Sequence, residues 1–249
     1  MSTTVLATKL FVPTRRERVV GRSRLVEQLD RSLADDHRLT LVAAPAGFGK
    51  TTMLAGWLDS LARRGRDVGA AWLSLDSGDN DLSRLLRHLV AALQRCGLDV
   101  DVAAVEAQAP LDGADIVAVL VNAVVRAGEQ TPERHWLVVL DDYHVIESHA
   151  VHEALELLLD HLPRQLHLVV STRSDPPLPV ARLRTRGQMV ELRAADLRFT
   201  PEEAGEFLQH VMGLDLTVAD VAALEERTEV RSRNSWVSAG WRASTSSTR

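Results

Sequence analysis

The sequence predicts an α/β fold, a parallel sheet of about five strands covered by helices on both faces, on three observations. Short apolar runs alternate with segments of helical periodicity, the pattern of strands joined by crossover helices. One run, Leu39-Thr40-Leu41-Val42-Ala43, passes directly into Ala44-Pro45-Ala46-Gly47-Phe48-Gly49-Lys50-Thr51-Thr52, a glycine-rich turn closed by Gly-Lys-Thr. Another, Trp136-Leu137-Val138-Val139-Leu140, ends in Asp141-Asp142. Strand, glycine-rich turn and helix in that order wrap the phosphates of a nucleotide, so the expected fold is that of a P-loop NTPase.

The elements follow in order. Residues 1–38 are read as an N-terminal segment and 39–199 as the P-loop ATPase domain. Lys50 opens a helix that continues through Leu58. Ala70–Leu75 reads as the second strand, followed by an acidic loop, Asp76-Ser77-Gly78-Asp79-Asn80-Asp81. Helices are expected over Leu82–Arg95, with Leu85, Leu86, Leu89 and Leu93 on one stripe, and over Ala114–Arg126. Trp136–Asp142 is the third strand. Val151, Ala154, Leu155, Leu158 and Leu162 mark a helix ended by Pro163, Leu166–Ser171 is the fourth strand, and Met189–Leu192 the fifth. At Thr200-Pro201-Glu202-Glu203 the pattern turns helical, with Thr200 as N-cap and Pro201 in the first turn. Residues 200–229 are read as the start of a helical lid. The full strand between the two motifs points to the additional-strand class of P-loop ATPases.

Composition narrows the partners. With 249 residues, 45% of them hydrophobic, the chain can bury one good core. A net charge of −5 offers no electrostatic footprint for nucleic acid, and 4% aromatic residues are too few for base-stacking platforms. Cys96 is the only cysteine, no signal peptide opens the chain and no run approaches a membrane span, so a cytoplasmic protein with no membrane partner is expected.

The chemistry is concentrated at the glycine-rich turn. Gly47 and Gly49 can adopt dihedrals closed to other residues and leave N–H groups pointing inward at phosphate oxygens, and the helix behind them adds its positive dipole end. The nucleotide-binding set is therefore Ala46, Gly47, Phe48, Gly49, Lys50, Thr51 and Thr52. Lys50 would reach the β- and γ-phosphates of ATP, and the Thr51 hydroxyl would hold Mg²⁺. The chain carries only two lysines, Lys9 and Lys50, and arginine elsewhere. The usual pattern begins with glycine, where this chain has Ala44. A carboxylate at a strand's C-terminal end sits beside the phosphate loop, so Asp141 is a second candidate for Mg²⁺ and Asp142 for orienting or deprotonating the attacking water. Arg173, after the fourth strand, could sense the γ-phosphate. The run Arg182, Arg184 and Arg186 reads as wet surface. His144, His149 and His152 lack a matching second pair of ligands and read as a solvent-facing helix edge, not a metal site. The acidic loop lacks the ligand spacing of a calcium loop, yet its place at a strand end puts it near the nucleotide.

With these residues in hand, the chain resembles the N-terminal ATPase module of the large MalT-like, LuxR-class regulators, which belong to the STAND signal-transduction ATPases. The matching stretches include Thr8-Lys9-Leu10-Phe11-Val12-Pro13, Val20-Gly21-Arg22-Ser23-Arg24-Leu25, the phosphate loop, Trp72-Leu73-Ser74-Leu75-Asp76, Leu140-Asp141-Asp142-Tyr143-His144, Arg173-Ser174-Asp175-Pro176-Pro177-Leu178 and Asp196-Leu197-Arg198-Phe199-Thr200. The resemblance implies that Arg22 lies near the nucleotide and that Arg173 holds the sensor position. It also implies a switch in which ADP holds a closed monomer and ATP with inducer opens it for self-association, with slow hydrolysis as the reset. After Arg227-Thr228-Glu229 the family pattern breaks off. Residues 230–249 carry no acidic residue and a run of Ser and Thr; they are expected to be a disordered tail left by a frameshift or truncation, and the chain to make no direct DNA contact. Two other readings stay open: a general P-loop ATPase or phosphotransferase, and an inert truncated fragment.

Overall fold

The computed structural model describes residues 6–14, 20–34, 37–101 and 113–211. Among them five strands form one sheet: β1 (Leu39–Ala43), β2 (Val68–Ser74), β3 (His135–Asp141), β4 (Leu166–Thr172) and β5 (Met189–Arg193). Every pairing is parallel, and the spatial order is β2-β3-β4-β1-β5. All five C-terminal ends therefore open on one edge, the edge where ligands bind in such sheets.

Seven helices among the described residues cover the faces: α1 (Ser23–Ala34), α2 (Lys50–Arg63), α3 (Leu82–Arg95), α4 (Gly113–Gln130), α5 (His149–Asp160), α6 (Val180–Thr185) and α7 (Pro201–Glu206). β1 and β4 are buried at every residue, as parallel strands covered on both sides must be. Their side chains alternate between two cores. Leu39, Leu41, Leu168 and Val170 join Leu85, Leu89, Ile116, Leu120, Leu155 and Leu158 beneath α3, α4 and α5. Val42 and Val169 face the other way and meet Leu25 and Leu29 of α1 and Leu54, Trp57 and Leu61 of α2.

On that second face lies a buried polar pair. His167 of β4 donates from Nδ1 to the His37 carbonyl at 2.7 Å, and its Nε2 accepts the Thr40 hydroxyl at 2.8 Å. Both nitrogens are satisfied with the ring neutral, and burial pushes the imidazole pKa down to about 4.

The strands fall within one or two residues of their expected places, and Thr200 makes a full capping box with Glu203. β2, which lies between the two motifs in the sequence, forms the outer edge, and β4 is the strand inserted between β1 and β3. Some expectations need correction. The acidic loop consequently stands well away from β1. It forms a short 3-10 turn, Ser77–Asn80, whose fully buried Asp79 pairs with Lys9 and with His88 Nδ1 at 3.0 Å. The N-terminal segment carries α1. Its Leu25, Leu29 and Leu33 recur every four residues on α1, which Asp30 fastens to α2 by accepting from Trp57 Nε1 at 2.9 Å and pairing with Arg64. α5 also stops at Asp160, so Leu162 is buried beyond the helix that was expected to include it. The lid beyond residue 211 and the tail 230–249 lie outside the described residues.

Candidate functional site

Gly47 (φ 85°) and Gly49 (φ 75°) both take the left-handed backbone that their lack of a side chain allows. Gly49 is the N-cap of α2, and its carbonyl accepts from Met53 N at 2.8 Å, so the helix begins at Lys50 with its free N–H groups turned toward the loop. Ala46 and Gly47 are exposed, as is Thr52, while Phe48 is half-buried against the α1/α2 core. Ala44, where the usual pattern has glycine, needs no special backbone: Asp142 is the only non-glycine described residue with positive φ. Its methyl group is buried in the same core.

Lys50 folds back over the turn. Its Nζ donates to the carbonyls of Ala44 at 2.8 Å and Pro45 at 3.1 Å, which holds an ammonium above the loop. Burial lowers its pKa, opposed by Asp142 and Asp141 and reinforced by Arg173.

Across the sheet edge, Thr51 Oγ1 donates to Asp141 Oδ2 at 2.7 Å. Asp141 is 3% exposed, and its Oδ1 is buried without a hydrogen-bond partner. A lone carboxylate oxygen in that condition is costly unless something positive fills the position. Two hard oxygen donors joined beside a phosphate-binding loop suit Mg²⁺, which takes few protein ligands and keeps its other positions for water and phosphate. The chain's donor set thus fits both ATP and Mg²⁺.

Asp142, next along, is held at φ 60° in the left-handed region, with half its side chain exposed. Arg173, exposed, follows the end of β4 and so stands between the loop and the Asp141 strand in the sheet order. Arg22 is held by backbone carbonyls and a carboxylate. Its Nη2 donates to the carbonyls of Leu197 and Arg198, its Nε lies 3.5 Å from Glu203 Oε2, and its guanidinium stacks over Phe199 at 4.8 Å. Arg24 reaches the same Glu203 and the Asp196 carbonyl, so these two arginines fasten the start of α1 to the junction between β5 and α7.

The three histidines do not share a solvent-facing helix edge. His149 alone is exposed, beside Glu153; His152 bonds the buried Tyr143 hydroxyl at 2.7 Å. His144 precedes the helix and faces the site: its Nδ1 is 3.7 Å from Asp142 Oδ1, and burial, Arg173 and Lys50 lower its pKa. Its signal in the sequence is its place two residues after Asp142. No group of three or more potential metal ligands of the His/Cys/Asp/Glu type occurs among the described residues, and no described helix is long and apolar enough to cross a membrane.

The chain is similar to several known proteins. It is 34% identical over 203 residues to the HTH-type transcriptional regulator MalT of Klebsiella pneumoniae, covering 82% of this chain and 21% of that protein. To the MalT of Yersinia enterocolitica it is 34% identical over 230 residues, covering 90% of this chain and 24% of that protein. It therefore spans about a fifth to a quarter of the length of these relatives. Among solved structures, the Orc1 protein of Aeropyrum pernix in complex with DNA overlaps 80% of this chain and 50% of its own, with a TM-score of 0.49 and 17% identity. An overlap at that level says nothing of ligands or partners. Residues 18–171 match the family described as the AAA ATPase domain, a stretch that takes in the phosphate loop, Thr51, Asp141 and Asp142. The chain belongs to the AAA ATPase domain family.

Proposed function

We propose that this chain is an ATP-binding, slowly hydrolysing switch module of a MalT-like, LuxR-class transcriptional regulator. The observation that carries the reading is the Thr51–Asp141 hydrogen bond with Asp141 Oδ1 left buried and unpartnered, directly behind the phosphate loop. Thr51 and Asp141 would hold Mg²⁺, which neutralises charge on the β- and γ-phosphates when bound. Backbone N–H groups of residues 46–52 would bind the phosphates, and Lys50 would exchange the carbonyls of Ala44 and Pro45 for a phosphate oxygen. Asp142 would orient the attacking water, accepting a proton from it as the water oxygen bonds to the γ-phosphorus and ADP leaves. Arg173 would stabilise charge on the γ-phosphate and register its loss. Arg22 would act on the nucleotide from the β5–α7 junction that it already binds.

The MalT relatives are named as HTH-type transcriptional regulators, and the reading assigns this chain a signalling role of that kind. ATP would favour an open, self-associating form of the intact regulator and ADP a closed one. DNA would be read elsewhere in such a protein, since this chain has a net charge of −5. A phosphotransferase would need an acceptor site in addition. Measuring nucleotide affinity with and without Mg²⁺ tests the reading. Lys50→Ala is expected to abolish ATP binding with the fold intact, and an affinity unchanged from wild type would overturn it. Failure of the wild-type chain to bind nucleotide would favour the inert-fragment reading.

A further inference from the structure

Thr172, Ala43 and Arg193 stand in one row across the sheet, the last residues of β4, β1 and β5. Ala44, next along from Ala43, opens the phosphate loop. From β5 the Arg193 guanidinium reaches across the end of β1 and pairs through Nη1 with Asp175, three residues past Thr172. Its other side is taken by Glu191 Oε2, which accepts from Nε at 2.8 Å and from Nη2. The backbone of Arg193 is fixed as well: its N–H donates to Asp196 Oδ2 at 2.7 Å, and its carbonyl accepts from Leu197 N at 3.0 Å. A planar fork held on two sides has few orientations left.

What this fork holds is the segment that carries Arg173. Thr172 before it is fixed, its carbonyl accepting from Ala44 N at 3.2 Å and its hydroxyl donating to the Ser174 carbonyl at 2.9 Å; Pro176 after it is buried. Between them Arg173, Ser174 and Asp175 are all exposed, so core packing leaves their conformation open and polar contacts have to set it. The charge of Arg173 is felt at Lys50 and at His144, where it opposes protonation. The Arg193–Asp175 pair, with the Asp175 side chain 64% exposed, adds little to stability. It can still select one geometry of the segment, and an arginine that must meet a phosphate oxygen loses much of its effect when displaced by about 1 Å.

We propose that Arg193 is a positioning residue for Arg173: by holding Asp175 from across β1 it sets the 173–175 segment so that the Arg173 guanidinium meets the γ-phosphate. The inference rests on the sensing role given to Arg173 above. Positioning and a plain field effect differ in sign. Arg193 brings a positive charge and Asp175 a negative one to this edge of the sheet, so as bare charges their removal would shift ATP affinity in opposite directions. As a positioning pair, loss of either partner weakens the same γ-phosphate contact.

Titration calorimetry of the full chain with Mg²⁺-ADP and with a non-hydrolysable Mg²⁺-ATP analogue tests it, since preference for the analogue reports the γ-phosphate contact without requiring hydrolysis. Arg193→Ala and Asp175→Ala are each expected to lower that preference by about five- to tenfold, with ADP affinity within about twofold. The double variant should lose no more than either single one, and in an Arg173→Ala background neither change should lower the preference further. Arg184→Ala, which removes the other arginine from Glu191, is expected to stay within about twofold of wild type. Thermal midpoints should all stay within about 3 °C of wild type. Unchanged preference in Arg193→Ala, opposite shifts in the two single variants, a further loss in the Arg173→Ala background, or an Arg184→Ala as impaired as Arg193→Ala would overturn the role. Should Arg193→Ala fail to fold, Asp175→Ala, at an exposed position, decides alone. An Arg173→Ala variant with the wild-type preference would overturn the sensing reading itself, and a wild-type chain that binds neither nucleotide the nucleotide reading, each taking this role with it.

Discussion

Thr51 Oγ1 and Asp141 Oδ2, ninety residues apart in the chain, share a 2.7 Å hydrogen bond that joins the first turn of α2 to the end of β3 across the intervening β4. It brings the two halves of the motif set into one site and leaves Asp141 with one oxygen unsatisfied. An acceptor prepared in this way gains more from a cation than one already bonded twice.

Asp141→Asn is expected to keep the bond from Thr51, since the amide oxygen still accepts, while removing the charge that Mg²⁺ needs. Affinity for ATP in Mg²⁺ should fall by at least about tenfold, and affinity for ADP in a chelator should be unchanged. Titration calorimetry under both conditions separates the two.

Asp142→Gly tests the cost of the left-handed backbone. Glycine adopts φ 60° freely, so the variant is expected to be more stable by about 0.5 to 1 kcal/mol and to lose hydrolysis. Chemical denaturation beside a phosphate-release assay reads both, and a less stable variant would show that the Asp142 side chain contributes more to the fold than its backbone strain removes.

Asp79→Asn strands the buried Lys9 ammonium with the half-exposed Asp76, 3.0 Å away, as its remaining carboxylate. A loss of about 3 kcal/mol in stability is expected, and much of it should return in Lys9→Met/Asp79→Leu, where no charge is left buried. Nucleotide affinity should not change in either protein, because the acidic turn belongs to the outer strand and not to the phosphate site.

His167 predicts an acid limit. Its folded pKa of about 4 lies below the ordinary 6.5, so only the unfolded chain takes up this proton between those values. The neutral ring's contribution is fully present above pH 6.5 and is lost as pH falls toward 4, a decline of about 3 kcal/mol at most. Denaturation midpoints from pH 7 to 4 should fall less steeply in His167→Gln than in wild type.

Much of the fold is legible because its signals are local. β1 and β4 are buried on both faces, so they read as unbroken apolar runs, and Thr200 with Glu203 spells out a capping box within four residues. α1 is harder to see although Leu25, Leu29 and Leu33 repeat at helical spacing, because the Arg22 motif beside it points equally to ligand binding. Spacing groups His144 with His149 and His152, and only the turn after Asp142 separates it from them.

The sequence by itself determined the chemistry on offer: a phosphate loop needs consecutive backbone N–H groups and left-handed glycines, and these come from neighbours in the chain. Tertiary structure decided which distant groups meet. Strand order set β4 between β1 and β3, sent the acidic turn to the far edge, and turned Arg22 toward Leu197, Arg198 and Glu203. Order in a parallel sheet depends on which crossover buries the most apolar surface on each face, a property of the assembled layers that no single segment contains.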